Sequence, residues 1–185
     1  MRIKHFGIIA LVSLSITSFM TPAMDNTTIF EFNESANVGK WKILNDGVMG
    51  GVSKSTFKVN KEGNGVFEGD VSTANNGGFA SVRYSSTLEV GNSKSIKIRL
   101  KGDGKDYQFR IKKKTSDFES YITSFSTSGQ WQTIEIELSE LYASYRGRKL
   151  DKPNFNETEF EELSILIANK KNESFKLVLA KIELE

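Results

Sequence analysis

Three stretches of this 185-residue chain carry residue types suited to molecular recognition. The first is Asn45-Asp46-Gly47-Val48-Met49-Gly50-Gly51-Val52-Ser53, just after Trp41. Each glycine would cost about 1 kcal/mol in a helix interior, but all suit backbone at positive φ or in close contact with another segment. Asp46 before Gly47 reads first as turn chemistry bonding its own backbone, and second as a ligand to a bound molecule or metal. Met49 is either a soft contact for a partner or a plug in the end of the fold. Gly50 and Gly51 let the backbone approach whatever lies there. The second stretch is Asn75-Asn76-Gly77-Gly78-Phe79-Ala80-Ser81-Val82-Arg83. Asn76 belongs to its loop. If Ala80, Val82 and Tyr84 face a core, then Phe79, Ser81 and Arg83 face the other way. Arg83 offers a planar donor fork beside an apolar ring, suited to a carboxylate or a peptide. Its structural alternative is a salt bridge to Asp46 or another acid, locking the two glycine loops together. In the third stretch, Gln108 and Arg110 extend the Arg83 face into a polar surface, with Tyr121 at its edge. Beyond it, Arg146 and Arg148 flank Gly147 as a rim for partner charge or as solvated ends. Trp41 and Trp131 read as core residues rather than ligand platforms.

Composition narrows the chemistry. Arg2, Lys4 and His5 precede an apolar run from Phe6 to Met20, and Thr21-Pro22-Ala23 supplies small residues for a signal peptidase. Residues 1–23 are expected to be a cleaved secretory signal peptide, with an uncleaved anchor as the alternative; cleavage leaves no transmembrane anchor and places the protein in the periplasm or outside the cell. The chain has no Cys, so this is no lipoprotein signal. Cleavage removes Arg2 and Lys4 and no acid, lowering Lys plus Arg from 25 to 23 against 23 Asp plus Glu. A neutral chain lacks the basic footprint of a nucleic-acid binder, and Lys112-Lys113-Lys114 reads as a solvated hairpin end. The single His, His5, leaves with the signal. Thiol nucleophiles, imidazole bases and the usual zinc ligand set are therefore excluded. No catalytic residue is assigned: Asp46 and Asp103 both sit in glycine turns, and nothing marks a carboxylate pair. Asp46, Asp70, Asp103 and Asp106 supply oxygens for calcium, but their spacing specifies no site and no metal is expected. The Asn-x-Ser/Thr sequons from Asn26 to Asn172 carry meaning only in a eukaryotic secretory route.

These residues must be positioned by strands. Period-two alternation recurs at Phe57 and Val59, Val66 to Val71, Ala80 to Tyr84, Ile96 to Leu100, Tyr107 to Ile111, Tyr121 to Phe125, Ile134 to Leu138, Leu163 to Ile167, and Phe175 to Leu179. Phe30 and Phe32 open the series. Lys101-Gly102-Asp103-Gly104 predicts a hairpin, and a phase change near Ala180-Lys181 predicts a bulge. Ser139 to Tyr145 and Glu157 to Leu163 read as short helical turns. Residues 24–185 are expected to form one all-β domain, an antiparallel β-sandwich.

In order, these segments resemble the complex I intermediate-associated protein family. The resemblance rests on Asp46-Gly47-Val48-Met49-Gly50-Gly51-Val52-Ser53 and Asn76-Gly77-Gly78-Phe79-Ala80-Ser81-Val82-Arg83, then Gly102-Asp103-Gly104, Gly129-Gln130-Trp131, Arg146-Gly147-Arg148 and Phe175-Lys176-Leu177. It runs from about Phe30 to Leu184. It implies a galactose-binding-like jelly roll and a non-enzymatic, chaperone-like binding domain. Mitochondrial members help assemble respiratory complex I on the matrix side; a signal peptide sends this chain to the opposite side of its membrane. No glycine fingerprint for a nucleotide follows a strand and opens a helix, so no cofactor is expected. The resulting expectation is a protein-binding, assembly-factor-like module of the cell envelope, with the glycine-loop end and the Arg83 face as its surface. The alternative is a carbohydrate-binding jelly roll, which rests on fold analogy.

Overall fold

The structure is a computed structural model describing residues 27–185; the segment read as a signal peptide lies outside the described residues. Thirteen strands run in chain order: β1 (Thr27–Glu31), β2 (Trp41–Asn45), β3 (Lys54–Val59), β4 (Gly65–Val71), β5 (Ala80–Glu89), β6 (Ser95–Lys101), β7 (Asp106–Lys112), β8 (Ser120–Ser126), β9 (Trp131–Glu137), β10 (Tyr142–Tyr145), β11 (Arg148–Lys149), β12 (Glu159–Ile167) and β13 (Glu173–Leu184). They form two antiparallel sheets. The seven-stranded sheet has the order β11-β10-β8-β7-β12-β5-β2, and the six-stranded sheet β3-β4-β13-β6-β9, with β1 also paired to β13.

Alternation sorts each strand into an inner and an outer face. Ile96, Ile98 and Leu100 of β6 and Leu177, Leu179 and Ile182 of β13 meet Phe109 and Ile111 of β7 and Leu163, Ile165 and Ile167 of β12, all fully buried. Burying each such side chain contributes about 1.5–3 kcal/mol. At one end Phe30, Phe32, Trp41, Phe57 and Tyr84 form an aromatic knot, with Trp41 and Tyr84 centroids 5.1 Å apart. Among the described residues, no helix is long and apolar enough to cross a membrane.

The bulge expected near Ala180 is present as a register shift between Leu179 and Lys181. Two local expectations are corrected. Leu138–Glu140 is a 3₁₀ turn, but Tyr142–Tyr145 is a strand, and the segment read as a helical turn from Glu157 belongs largely to β12. The pairing of β12 with β5 shifts register between Phe160 and Glu162, so Phe160 and Leu163, three residues apart, both reach the core and imitate a helical spacing. Lys101-Gly102-Asp103-Gly104 joins no hairpin. It carries the chain from β6 in one sheet to β7 in the other. Gly104 takes φ 84°, and Asp103 accepts the Tyr107 hydroxyl at 3.0 Å and the Lys176 N–H at 2.9 Å, which fixes the corner to both layers.

Candidate functional site

The two glycine loops meet around one carboxylate. Strand β2 ends at Asn45 and the chain turns through the 3₁₀ segment Asp46–Met49. Asp46 is only 1% exposed. Its Oδ2 accepts the Ser53 hydroxyl at 2.5 Å, the Gly78 N–H at 2.6 Å and the Phe79 N–H at 3.2 Å. Its Oδ1 accepts the Ser53 N–H at 3.1 Å. Burial pushes the carboxyl up, but these four hydrogen bonds outweigh it and hold the group below its ordinary value. The glycines follow from this packing. A Cβ on Gly51 would lie 2.3 Å from the Asp46 carboxyl carbon, and one on Gly77 2.6 Å from Oδ2. Asn75 and Asn76 hold successive left-handed φ angles of 54° and 60°, which Asn tolerates better than most residues. Asp46 is therefore the clasp between the loops and not a free ligand. Its hydrogen bonds include one to the backbone of its own loop, at Ser53, and reach beyond it to Gly78 and Phe79. Gly51 backs this clasp; Gly50, at φ 86°, and Asn76 are exposed on the loops. The side chain of Met49 lies outside the described residues.

Arg83 makes a different partnership from the one with Asp46. Its Nη1 lies 3.5 Å from Glu162 Oε1. Strand pairing places it in a cross-strand row on the outer face of the seven-stranded sheet: Lys42, Arg83, Ser164, Arg110, Ile122, Tyr142. The flanking rows are Ser85, Glu162, Lys112, Ser120 and Ser144 on one side, and Leu44, Ser81, Leu166, Gln108 and Ser124 on the other. Ser81, Glu162, Ser164, Leu166 and Ile122 are all buried, although Leu166 and Ile122 are outside the core cluster. Arg110 donates from Nε and Nη2 to Gln108 Oε1, at 3.2 and 2.6 Å. Burial lowers the proton affinity of its guanidinium, and the neighbouring charge of Arg83 lowers it further. Arg83 Nε is buried without a hydrogen-bond partner.

Arg83 and Arg110 are thus brought together as the sequence suggested, and Phe79 stands half-buried at the end of the same strand. Tyr121 is not at their edge. It pairs with Ile111, faces inward and packs edge-on against Phe155 at 5.3 Å, because the face of β8 that carries Ile122 is the outer one. Tyr142 takes the position expected of Tyr121. Arg146 sits at the exposed tip between β10 and β11, at φ 48°, over the Tyr145 ring at 5.2 Å, on the edge of the sheet away from β5. Glu162, Ser164 and Tyr142 were missed. Their signal was the alternation Glu162, Ser164, Leu166 between core residues, which becomes readable as a face only once β12 is known to lie between β5 and β7. The four candidate calcium aspartates do not converge: among the described residues, no group of three or more His, Cys, Asp or Glu is placed to hold a metal.

Comparison with known families matches residues 30–179 to complex I intermediate-associated protein 30. The chain belongs to this family. The match takes in both glycine loops and every strand of the Arg83 face. No curated protein sequence matches the chain. Among solved structures, this member of the complex I intermediate-associated protein 30 family is similar to the family 11 carbohydrate-binding module from Clostridium thermocellum in complex with a β-1,3-1,4-mixed-linked tetrasaccharide. The identity is 18%, the TM-score 0.65, and the alignment covers 86% of this chain and 94% of that one. The same module of the cellulosomal cellulase Lic26A-Cel5E matches with TM-score 0.65 and 18% identity, over 88% and 95% of the two chains. A family 29 carbohydrate-binding module variant matches with TM-score 0.52 and 12% identity, over 88% and 92%. At these identities the likeness establishes the jelly-roll sandwich and nothing finer.

Proposed function

We propose that this protein is an exported, non-enzymatic module that binds a protein partner in the cell envelope and holds it during assembly. The observation that carries the reading is the outer face of the seven-stranded sheet, where Arg83 and Arg110 stand on either side of Ser164 among the buried residues Ser81, Leu166 and Ile122. A binding surface needs polar groups with unspent hydrogen-bonding capacity on a floor that excludes water. This face has both. Family membership supports an assembly role, and the chain offers neither Cys nor, past residue 5, any His to act as nucleophile or base. The glycine loops contribute by fixing the ends of β2 and β5 and not by direct contact through Asp46.

Carbohydrate binding is the second reading, supported by the sandwich shared with carbohydrate-binding modules. The three rows of the face weigh against it, since Tyr142 is their one aromatic residue and it stands at the end of its row. Sugar rings are commonly held against aromatic planes.

The deciding experiment is crosslinking in the native envelope, followed by mass spectrometry of what is attached, with Arg83→Ala alongside. A discrete protein captured by the natural chain and lost in the variant supports the assembly reading. Capture of glycan fragments alone, or melting temperatures that rise with one saccharide of a broad panel, would replace it with carbohydrate recognition.

A further inference from the structure

Charge on the outer face of the seven-stranded sheet is unbalanced. Within its three rows stand Lys42, Arg83, Arg110 and Lys112, against the single acid Glu162. Glu162 lies 3.5 Å from Arg83, so Arg110 has no carboxylate of its own and turns to the neutral amide of Gln108. Two of its five N–H groups are spent there. Arg83 keeps a buried Nε–H with no acceptor. Two guanidinium groups on adjacent strand positions either side of a small, buried serine repel each other, and the buried residues between and beside them weaken the screening of that repulsion. An incoming carboxylate removes the imbalance and accepts from both forks.

The geometry points to a carboxylate clamp: Arg83 and Arg110, on either side of Ser164, grip an acidic side chain in an extended segment of a protein partner. This rests on the protein-binding reading above and names the chemistry of the segment bound. The floor supports a peptide over a glycan. Ile122 and Leu166 are apolar, buried and outside the core cluster, one beside Arg110 in its own row and the other in the next row. They suit the aliphatic neighbours of an acidic residue in a peptide, whereas no aromatic plane stands in the middle of the rows to take a sugar ring.

The test uses the purified protein with a fluorescent oligoglutamate peptide, followed by anisotropy at low and at raised salt. Oligoglutamine and oligogalacturonate are measured in parallel. The expected result is binding of oligoglutamate that weakens with salt, no binding of oligoglutamine, and a loss of roughly tenfold or more in each of Arg83→Gln and Arg110→Gln. Arg83→Lys and Arg110→Lys keep the charge and remove the fork, so they are expected to lose most of the affinity while retaining the fold. Lys113→Gln, at the hairpin end, is expected to bind as the natural chain does. Oligoglutamate affinity unmoved by either arginine change overturns the clamp, as does binding of oligogalacturonate without oligoglutamate. The two levels separate cleanly. A captured envelope protein that persists in the Arg83→Lys, Arg110→Lys double variant keeps the assembly reading and removes the clamp. Arginine-dependent oligoglutamate binding in a protein that captures no partner keeps the clamp and removes the assembly role.

Discussion

The carboxylate of Asp46 accepts the backbone N–H of Gly78 at 2.6 Å across 32 residues of sequence, fastening the end of β2 to the loop that launches β5. The same oxygen holds the Ser53 hydroxyl, so the two glycine loops serve to seat β2 and β5, the strands that carry Lys42 and Arg83.

Asp46→Ala is therefore expected to cost roughly 2–3 kcal/mol, because it leaves buried N–H donors without an acceptor. Urea unfolding followed by tryptophan fluorescence measures this. The outcome that breaks the argument is a midpoint equal to that of the natural protein.

The same group sets an acid limb. The folded Asp46 carboxyl lies below its ordinary value of 3.8, so the stability it lends is complete above that value. It is lost as pH falls through the lower folded value. Asp46→Asn is expected to flatten the fall in melting temperature across that acid window while lowering stability at neutral pH. Asp103, whose carboxyl is depressed as well, keeps part of the slope in the variant.

Glycine scanning separates packing from flexibility. Gly51→Ala and Gly77→Ala each drive a methyl group into the Asp46 carboxylate and are expected to destabilise by roughly 1–3 kcal/mol. Gly47→Ala meets nothing within 4 Å and is expected to stay within about 0.5 kcal/mol of the natural protein. Equal effects at all three positions would show that the loops need only their flexibility.

The two arginines of the face are expected to respond differently to removal. Arg83→Met strands Glu162, whose side chain is 10% exposed, and is expected to cost roughly 1–3 kcal/mol. Arg110→Met removes a desolvated cation repelled by Arg83 and spares every carboxylate. It is expected to leave stability unchanged or raise it by up to about 1 kcal/mol. Thermal melts of the two variants decide the matter.

Much of this fold was legible because its strands alternate cleanly and their inward residues are large and aliphatic. Ile96, Ile98 and Leu100 define β6 from spacing alone. Legibility failed where a local signal serves two structures equally well. The Gly-Asp-Gly turn after β6 has hairpin chemistry, yet only the pairing of β6 with β13 and β9, and of β7 with β12 and β8, decides that the chain crosses to the other sheet. Strand β2 escaped notice because Trp41-Lys42-Ile43-Leu44 is too short and mixed to show a period. Trp131 read as core but is 38% exposed, with Arg99 at 5.6 Å from its ring, since β9 is an edge strand. At the site, Arg83 and Arg110 were visible as types. Ser164, Glu162 and Tyr142 were not, because their role depends on which strands are neighbours, a long-range fact absent from any local window.

The two tryptophans give a direct check on that correction. Trp41 is 7% exposed, so acrylamide quenching is expected to show one protected and one accessible emitter. Trp131→Phe is expected to remove the accessible component. Uniform quenching of both would place Trp131 in the core after all.

Strand β13 is the last of the thirteen strands in chain order, yet it is the middle of its sheet, joining β4 on one side to β6 on the other and holding β1 as well. Until it arrives, β3 with β4 and β6 with β9 are two separate ribbons with no hydrogen bonds between them. A growing chain that has delivered everything up to Asn169 still holds no complete second layer against which the arginine-bearing sheet can pack. The strand that joins the two ribbons is thus the last of the thirteen in chain order, so the second layer is continuous only through pairings of long sequence separation.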